Sequence, residues 1–445
     1  MKHKNMCDPV HGIMCFENEL YITIKRVIDS PYFQRLRQIK QLSFAEFAYP
    51  GAVHNRFSHS IGACYLSTVV FSTIYNDSTN NEDQKICLAL TALIHDIGHG
   101  PFSHSFEKIF NYALNFVDKK IGKISHEDWT QVFLKKLIEE NYIETNYGRV
   151  VEDIYTKETN KLHGIISSQL DVDRFDYLLR DSHSCGVSYG NFDLLWLINR
   201  LCEQDGVICI EEKGINTLEH YIMARRFMNK NVYFHKIKCS FEYMLTVIFK
   251  LVQKNLDELS LYQELQHSAL IVLLQAMREI KQRNKNKFLY DLFPYYTELT
   301  DYDIWILLKQ ISSLNIQNQS QEIGLLKLLS SNLIYRKCIN IRTVKSGYTS
   351  LIEAKVKEFI DEHTDLSEYI IEFDHTDFGV YKIYGEEINY ATGSGYRNVL
   401  SKSSLLKSSQ AEEVRYLYFI DIQSINLELN NKLQGFIESL KAYIY

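Results

Sequence analysis

The sequence predicts a mainly α protein, with a helical core in roughly its first half and a smaller α+β region at the C-terminus. Three observations carry this. Only five prolines occur in 445 residues, and four of them (Pro9, Pro31, Pro50, Pro101) precede residue 102. The rest of the chain, with Pro294 alone, is therefore free to run in long helices, where an interior proline costs about 3 kcal/mol. The run ICLALTALI, Ile86 to Ile94, is apolar on nearly every side, as a helix buried all round must be. From about Leu333, short β-rich stretches (EYIIEF, YKIYG, VRYLYFIDI) replace the helical period.

The elements follow in order. DSPYFQRLR reads as a capped helix start, with Asp29 or Ser30 as N-cap and Pro31 at the first helical position. The apolar helix ends where Gly98 and Gly100 enter. SSQLDVDRFDYLLRDS, Ser167 to Ser182, has helical spacing, VICIEE looks like a strand, and a long helical pattern runs from about Thr217 to Val252. LQHSALIVLLQAMREIKQR and YDIWILLKQI are amphipathic packing helices with no chemical signature. The Ser-, Gly- and Lys-rich stretch Thr392 to Gln410 is expected to be a mobile loop, and a last helix lies near Asn430 to Ala442.

Charged residues at 23% and hydrophobic ones at 46% match ordinary globular usage and exclude disorder over the whole length. With 49 Lys and Arg against 55 acidic residues, the formal charge of -6 gives no general pull toward nucleic acid or anionic membrane. Nine cysteines without CxxC or framework spacing read as reduced, mostly buried thiols. The N-terminus has no signal-peptide apolar core, and no apolar run approaches the ~18 residues of a membrane span. A soluble protein of a reducing, cytoplasmic compartment is expected.

Chemistry concentrates in three segments. HNRFSHS and ALIHDIGHGPFSH supply His59, His95 and Asp96, and imidazole with carboxylate suits Zn, Fe, Mn or Ni better than a thiol site would. Asp96 directly follows a buried helix, so its charge needs a cation or a hydrogen-bond network. A lone histidine is more often an ordinary half-buried imidazole, but four between His95 and His126, opposite a second HxxxxH segment, weigh against that. In the second segment Asp173, Tyr177 and Asp181 fall at i, i+4 and i+8 on one helical stripe beside Arg174, with Val172, Phe175, Leu178 and Leu179 on the other side. The plainer alternative is a solvated face paired locally to Arg174 and Arg180. In MARRFMNKNVYFHK, Arg225, Asn229 and Tyr233 share a face suited to phosphate and a sugar or base, or form an exposed basic face.

HNRFSHS, HDIGHGPFSH and DVDRFDYLLRDS together resemble the HD-domain metal-dependent phosphohydrolases, and more narrowly their deoxynucleoside triphosphate triphosphohydrolase branch. The resemblance runs from about Met6 to Lys236, with too short a segment before it for a sterile-alpha-motif domain. It implies His59, His95, Asp96 and Asp173 as ligands of a divalent metal (Mg, Mn, Fe, Zn or Ni). His99, His104 and His126 would line the phosphate side, as general acid for the leaving oxygen or to position the attacking water. Arg56, Arg174, Tyr177, Asp181, Arg225 and Tyr233 would hold triphosphate and deoxyribose, while Gln41 and Leu42 would meet the sugar where a 2′-hydroxyl would collide. The implied products are deoxynucleoside and inorganic triphosphate.

KNMCDPVHG and DSPYFQRLRQIKQL likewise resemble segments that form an allosteric nucleotide site at subunit contacts. There Lys4, Asp29, Gln34 and Arg37 would grip a GTP, dGTP or other dNTP activator in a homo-oligomer, a tetramer or, when inactive, a dimer. The implied division is an HD core with its N-terminal regulatory segment over 1–256, a helical extension over 257–332 and the α+β region over 333–445. Two rivals stand beside this reading. One is an HD nucleotidase or phosphodiesterase with the same ligands, and the other a nucleotide- or single-stranded nucleic-acid-binding module with a relic pocket, which the net charge disfavours.

Overall fold

The computed structural model describes residues 3–75, 82–117, 121–281, 284–315, 320–364, 369–372, 376–377, 387–408 and 413–445. Helices dominate, and four small sheets occur among the described residues. The chain opens with an antiparallel hairpin, His3–Asp8 against Gly12–Glu17. At its turn the Asp8 carboxylate accepts hydrogen bonds from the backbone N–H of Val10 (2.9 Å) and His11 (3.0 Å). Helix Asn18–Ile28 follows and ends at Asp29, so Asp29 closes one helix instead of opening the next. Ser30 is the N-cap, accepting from Phe33 N at 3.2 Å, and Pro31 takes the first helical position.

Three helices of the extended core position the candidate site. Arg56–Tyr75 packs along Glu82–Ile94 on one side and Val172–Cys185 on the other. Every residue from Ile86 to Ile94 is buried, as the unbroken apolar run requires. Gly62 lets Val172–Cys185 come close, because a Cβ there would lie within 2.7 Å of Asp176 Cγ and 2.5 Å of Arg180 Nη2. Among the described residues, Arg56–Tyr75 is the one helix long and apolar enough by composition to cross a membrane, but 67% of that window is buried inside the fold. Its small residues Gly62, Ala63, Cys64 and Ser67 serve close helix packing.

After Ile94 the chain turns tightly through Asp96 and Gly98, where a Cβ would meet the backbone of helix His126–Glu139. Phe102 (φ 53°) and Ser103 (φ 58°) then adopt a left-handed backbone that side chains disfavour. Contacts from distant segments offset that strain. Asp301 accepts from Phe102 N at 2.8 Å and from Lys40 N at 2.9 Å, and Ser103 Oγ accepts from Arg56 Nε at 2.9 Å. Tyr296 stacks on Trp129 at 3.7 Å and its hydroxyl donates to Gly98 O at 2.8 Å. Helix Lys285–Tyr296 and helix Asp301–Ser313, the latter read from sequence as a chemically silent packing element, thus brace the loop that carries His95, Asp96 and His99.

The single helix expected over 217–252 is two. Ile215–Met228 runs into a π-turn, Asn229–Tyr233, and Lys236–Lys254 starts afresh from His235, whose extended backbone cannot continue a helix. Of the stretch Thr392 to Gln410, residues 409–410 lie outside the described residues, and 392–408 are not the expected mobile loop. Asn389–Thr392 and Gly395–Asn398 form a hairpin that joins Leu201–Gln204 and Val207–Glu211 in one sheet, in the order Leu201–Gln204, Val207–Glu211, Asn389–Thr392, Gly395–Asn398. A short helix follows, with Val399, Ser403 and Leu406 buried; composition did not register three inward-facing side chains among serines and lysines. Tyr416–Phe419 pairs with Asn340–Thr343 and Ile370–Glu372, and Leu427–Ser439 is the last helix. The YKIYG stretch lies outside the described residues. All nine cysteines are free, but four are buried, two half-buried and three (Cys7, Cys15, Cys338) exposed, fewer inside than expected.

Candidate metal centre and adjoining cavity

His59, one turn into helix Arg56–Tyr75, meets His95 and Asp96 from the end of Glu82–Ile94 and Asp173 from the first turn of Val172–Cys185. One ligand atom from each lies within 4.8 Å of all the others. His59 Nε2 is 3.1 Å from Asp173 Oδ1 and 3.6 Å from Asp96 Oδ2; His95 Nε2 is 3.4 Å from Asp173 Oδ1 and 3.5 Å from Asp96 Oδ1. The opposite ring nitrogens decide the tautomers. His95 Nδ1 faces the carbonyl of Ala92 at 2.7 Å, and His59 Nδ1 faces the Asp176 carboxylate at 2.8 Å. Both partners only accept, so both Nδ1 atoms carry protons and both Nε2 lone pairs turn inward. Those Nε2 atoms are buried without a hydrogen-bond partner.

Two inward imidazole nitrogens and two carboxylates fit a divalent transition metal or Mg. Electrostatics agree. Burial pushes the His59 imidazole down, but Asp173 and Asp176 push it up to about 10, so the cluster calls for a positive charge at Nε2, which a proton or, in its place, a metal on the lone pair can supply. Burial raises Asp96, yet His95, Arg56 and His99 hold its carboxyl well below the usual range, and Arg56 Nη1 bonds it directly. Asp173 is likewise raised by burial and held low by His59 and His95.

Behind His59 lies a second layer that sequence reasoning missed. Asp176, fully buried, accepts from Arg180 Nε and Nη2 (2.8 Å each) and from His11 Nε2 (2.6 Å) as well as from His59. Arg180 in turn donates to Asp8 at 2.8 and 3.2 Å. The i+3 and i+7 spacing from Asp173 was the available signal, but the partners in the N-terminal hairpin had none.

His99, His104 and His126 form a neighbouring trio. His99 stacks on His126 at 3.9 Å, and His104 sits edge-on to both at 5.0 and 5.4 Å. His99 Nε2 is 3.4 Å from Asp96 Oδ1, which ties the trio to the quartet. Burial, Arg56 and His126 push His99 well below its ordinary value; His104, shielded by its neighbours although its residue is exposed, is pushed the same way to about 4 by the same causes. His126 Nδ1 lies 3.1 Å from Glu107, whose carboxyl burial raises and His126 and His104 hold down to about 2.

A cavity of about 400 Å³ opens beside the quartet. Gln41, Leu42, Arg56, His104, Asp173, Arg174, Tyr177, Asp181 and Tyr233 all line it, so most of the residues singled out by motif come together. The stripe Asp173, Tyr177, Asp181 faces the cavity as its spacing predicted. Arg174 bonds the N-cap Asp171 and Ser168 O. Asp181 accepts from Tyr233 at 2.8 Å, which fixes that ring at the wall, and also pairs with His54 Nε2 at 2.7 Å. Arg225 is placed elsewhere: it is buried outside this lining and donates to Gln169 Oε1 at 2.7 Å. Asn229, which shares the drawn face with Tyr233, lines the cavity too; Ser43, Lys108, Phe234, Lys238 and Glu242 are among its wall residues that were not singled out. Lys238 and Glu242, at i, i+4 on Lys236–Lys254, pair at 2.7 Å, a spacing too common on helices to flag a site.

Of the four residues at the implied second site, Gln34 and Arg37 touch, Arg37 Nε donating to Gln34 Oε1 at 2.8 Å while its guanidinium lies 3.5 Å over the Phe57 ring. Asp29 pairs with Lys25, and Lys4 stands exposed on the hairpin opposite Phe16.

Comparison with known families places this geometry. The HD domain matches residues 56–181, the stretch holding the quartet, and the HD associated region matches residues 192–323, which includes the bracing helices. Protein YwfO of Bacillus subtilis (strain 168) is 36% identical over 259 residues, 56% of this chain and 56% of that protein. The human deoxynucleoside triphosphate triphosphohydrolase SAMHD1 is 32% identical over 280 residues, 54% of this chain and 43% of that one. The chain spans about half the length of these curated relatives. A crystal structure of a phosphohydrolase from Bacteroides thetaiotaomicron VPI-5482 superposes with a TM-score of 0.72 at 26% identity, over 94% of this chain and 100% of that one.

Proposed function

This chain belongs to the HD-domain phosphohydrolases, and we propose that its reaction is hydrolysis of deoxynucleoside triphosphates to deoxynucleoside and inorganic triphosphate. One observation carries the reading: Asp173 belongs at once to the candidate metal centre and to the cavity wall, and Arg56 on that wall bonds Asp96 of the centre, so a phosphate chain in the cavity would reach the metal. A divalent cation held by His59, His95, Asp96 and Asp173 would supply Lewis-acid polarisation of a phosphoryl oxygen. HD domains bind such a metal; its identity here is open to Mg, Mn, Fe, Zn or Ni.

The chain's own groups would do the rest. The cavity falls within the roughly 300–1,000 Å³ of small-molecule sites. Arg56, Arg174, Lys108 and Lys238 along its wall supply positive charge for a triphosphate, and Tyr177, Tyr233 and Phe234 supply faces for sugar and base. Gln41 and Leu42 would stand against the sugar edge and favour deoxyribose over ribose. In the overall step water adds its oxygen to the α-phosphorus, the bond from that phosphorus to the 5′-oxygen breaks, and the 5′-oxygen takes a proton. His104, on the cavity wall with His99 and His126 behind it, is placed to move that proton or to orient the water. The same reading includes a GTP, dGTP or dNTP activator held by Lys4, Asp29, Gln34 and Arg37 in a homo-oligomer, and nine free thiols support a cytoplasmic setting.

The test is product chromatography with each dNTP, alone and in pairs, beside NTPs and dNMPs. Triphosphate and deoxynucleoside from dNTPs, with little from NTPs, is expected; turnover of monophosphates alone would make the protein an HD nucleotidase. Release seen only in mixtures would add the activator.

A further inference from the structure

The N-terminal hairpin is exposed along much of its length, with Lys4, Asn5, Cys7 and Cys15 at the surface. Its tip behaves differently. The side chains of Asp8 and His11 are only 6% and 4% exposed and reach into the core behind the candidate metal ligand His59. Asp176 joins the two: one carboxylate oxygen takes His59 Nδ1 at 2.8 Å and the other takes His11 Nε2 at 2.6 Å. Arg180 grips the same carboxylate with two bonds and passes its remaining reach to Asp8.

We propose that His11 and Asp8 are positioning residues of the metal centre, so that docking of the hairpin tip and metal binding by His59 reinforce each other. The coupling runs through the Asp176 carboxylate. A metal-bound imidazole needs its other nitrogen held by an acceptor, and that acceptor sets both ring orientation and basicity. Asp176 can serve only while it is itself held, because a buried carboxylate without its donors would turn toward the nearest one left. His11 supplies one of the four bonds that hold it, and Asp8 anchors the guanidinium that supplies two more. Coupling of this kind is reciprocal: whatever the hairpin adds to metal affinity, the metal returns as hairpin order. The inference rests on the metal centre and not on the identity of the substrate.

The test uses the full chain and Mn²⁺ alone, by titration calorimetry, with amide hydrogen exchange over residues 3–17 read before and after metal. His11→Leu, which removes the donor, is expected to weaken Mn²⁺ binding by about 10–100-fold, the usual effect of losing an outer-shell partner. His11→Gln, which can place a donor near the same point, is expected to restore most of the affinity. Metal should slow exchange in the hairpin of the unaltered chain and not in His11→Leu. Asp8→Asn provides a second reading if His11→Leu does not fold, since it keeps an acceptor for the turn but removes the charge facing Arg180; weaker Mn²⁺ binding is again expected. Equal affinity in the folded variants and the unaltered chain, with no metal effect on hairpin exchange, would overturn the proposal. An unaltered chain that binds no Mn²⁺ would overturn it together with the metal centre, and the dNTP reading would then be judged separately by its products.

Discussion

Gly62→Ala offers a test in which the sign of the effect decides. In the middle of an exposed helix this change stabilises by about 1 kcal/mol, because alanine has less backbone freedom to lose. Here the new Cβ would lie 2.5 Å from Arg180 Nη2 and nearer still to Asp176 Oδ1. Relief to ordinary contact of about 3.5 Å requires the buried carboxylate to move by an ångström or more, which breaks its bonds to Arg180, His11 or His59. Disrupting a buried ion pair costs roughly 3–5 kcal/mol, so after the helix gain the net loss should be about 2–4 kcal/mol. Denaturant unfolding of both chains with no metal added measures it, and Mn²⁺ titration should show weaker binding in the variant. A stabilised Gly62→Ala chain with unchanged Mn²⁺ affinity would refute the reasoning that this glycine exists to seat Asp176.

Other outcomes follow from the same geometry. Gly98→Ala sets its Cβ against the His126 carbonyl and the backbone and hydroxyl of Thr130, so a loss of about 3 kcal/mol or more in denaturant stability is expected, since backbone cannot step aside as a side chain can. Burial raises Asp301 to about 6 against its backbone donors Lys40 and Phe102. The folded chain then holds a proton that the unfolded chain has released, so stability falls as pH rises from about 4 to about 6, by up to roughly 3 kcal/mol. Asp301→Asn should flatten that slope in unfolding measured across this range, and an unchanged slope would contradict the assignment. His104 at about 4 enters as a neutral imidazole. The pH profile of kcat/KM should therefore show no break from it between about pH 5 and 8, and a break there that disappears in His104→Gln would count against it.

What the sequence revealed and what it hid divide along a physical line. The stripe Asp173, Tyr177, Asp181 and the buried run Ile86–Ile94 are local patterns of one helix, and periodicity alone places them. The quartet was approachable because its motif residues are chemically conspicuous. Asp176 and Arg180 also sit on a readable helix, but their role depends on His11 and Asp8, more than 160 positions away, and no local signal announces such a partner. Asp301 was hidden in the same way: at the start of a packing helix it looks like an ordinary favourable acid, and only the fold brings it to Lys40 and Phe102. Arg225 parts from the other two residues of its drawn face: it turns to Gln169, while Asn229 and Tyr233, at the two ends of the π-turn, line the cavity. The Ser- and Lys-rich stretch 392–408 was misread because a few buried residues, Val399, Ser403 and Leu406, outweigh a polar composition.

The central claim is that the quartet and its cavity together cleave a nucleotide at the α-phosphorus. The direct measurement is mass analysis of the products formed from each dNTP with Mn²⁺ in water enriched in heavy oxygen, beside an Asp96→Ala chain. The account predicts inorganic triphosphate carrying the heavy oxygen, deoxynucleoside without it, and neither product from Asp96→Ala. Heavy oxygen in a released mono- or diphosphate instead, or turnover that persists in Asp96→Ala, would contradict it.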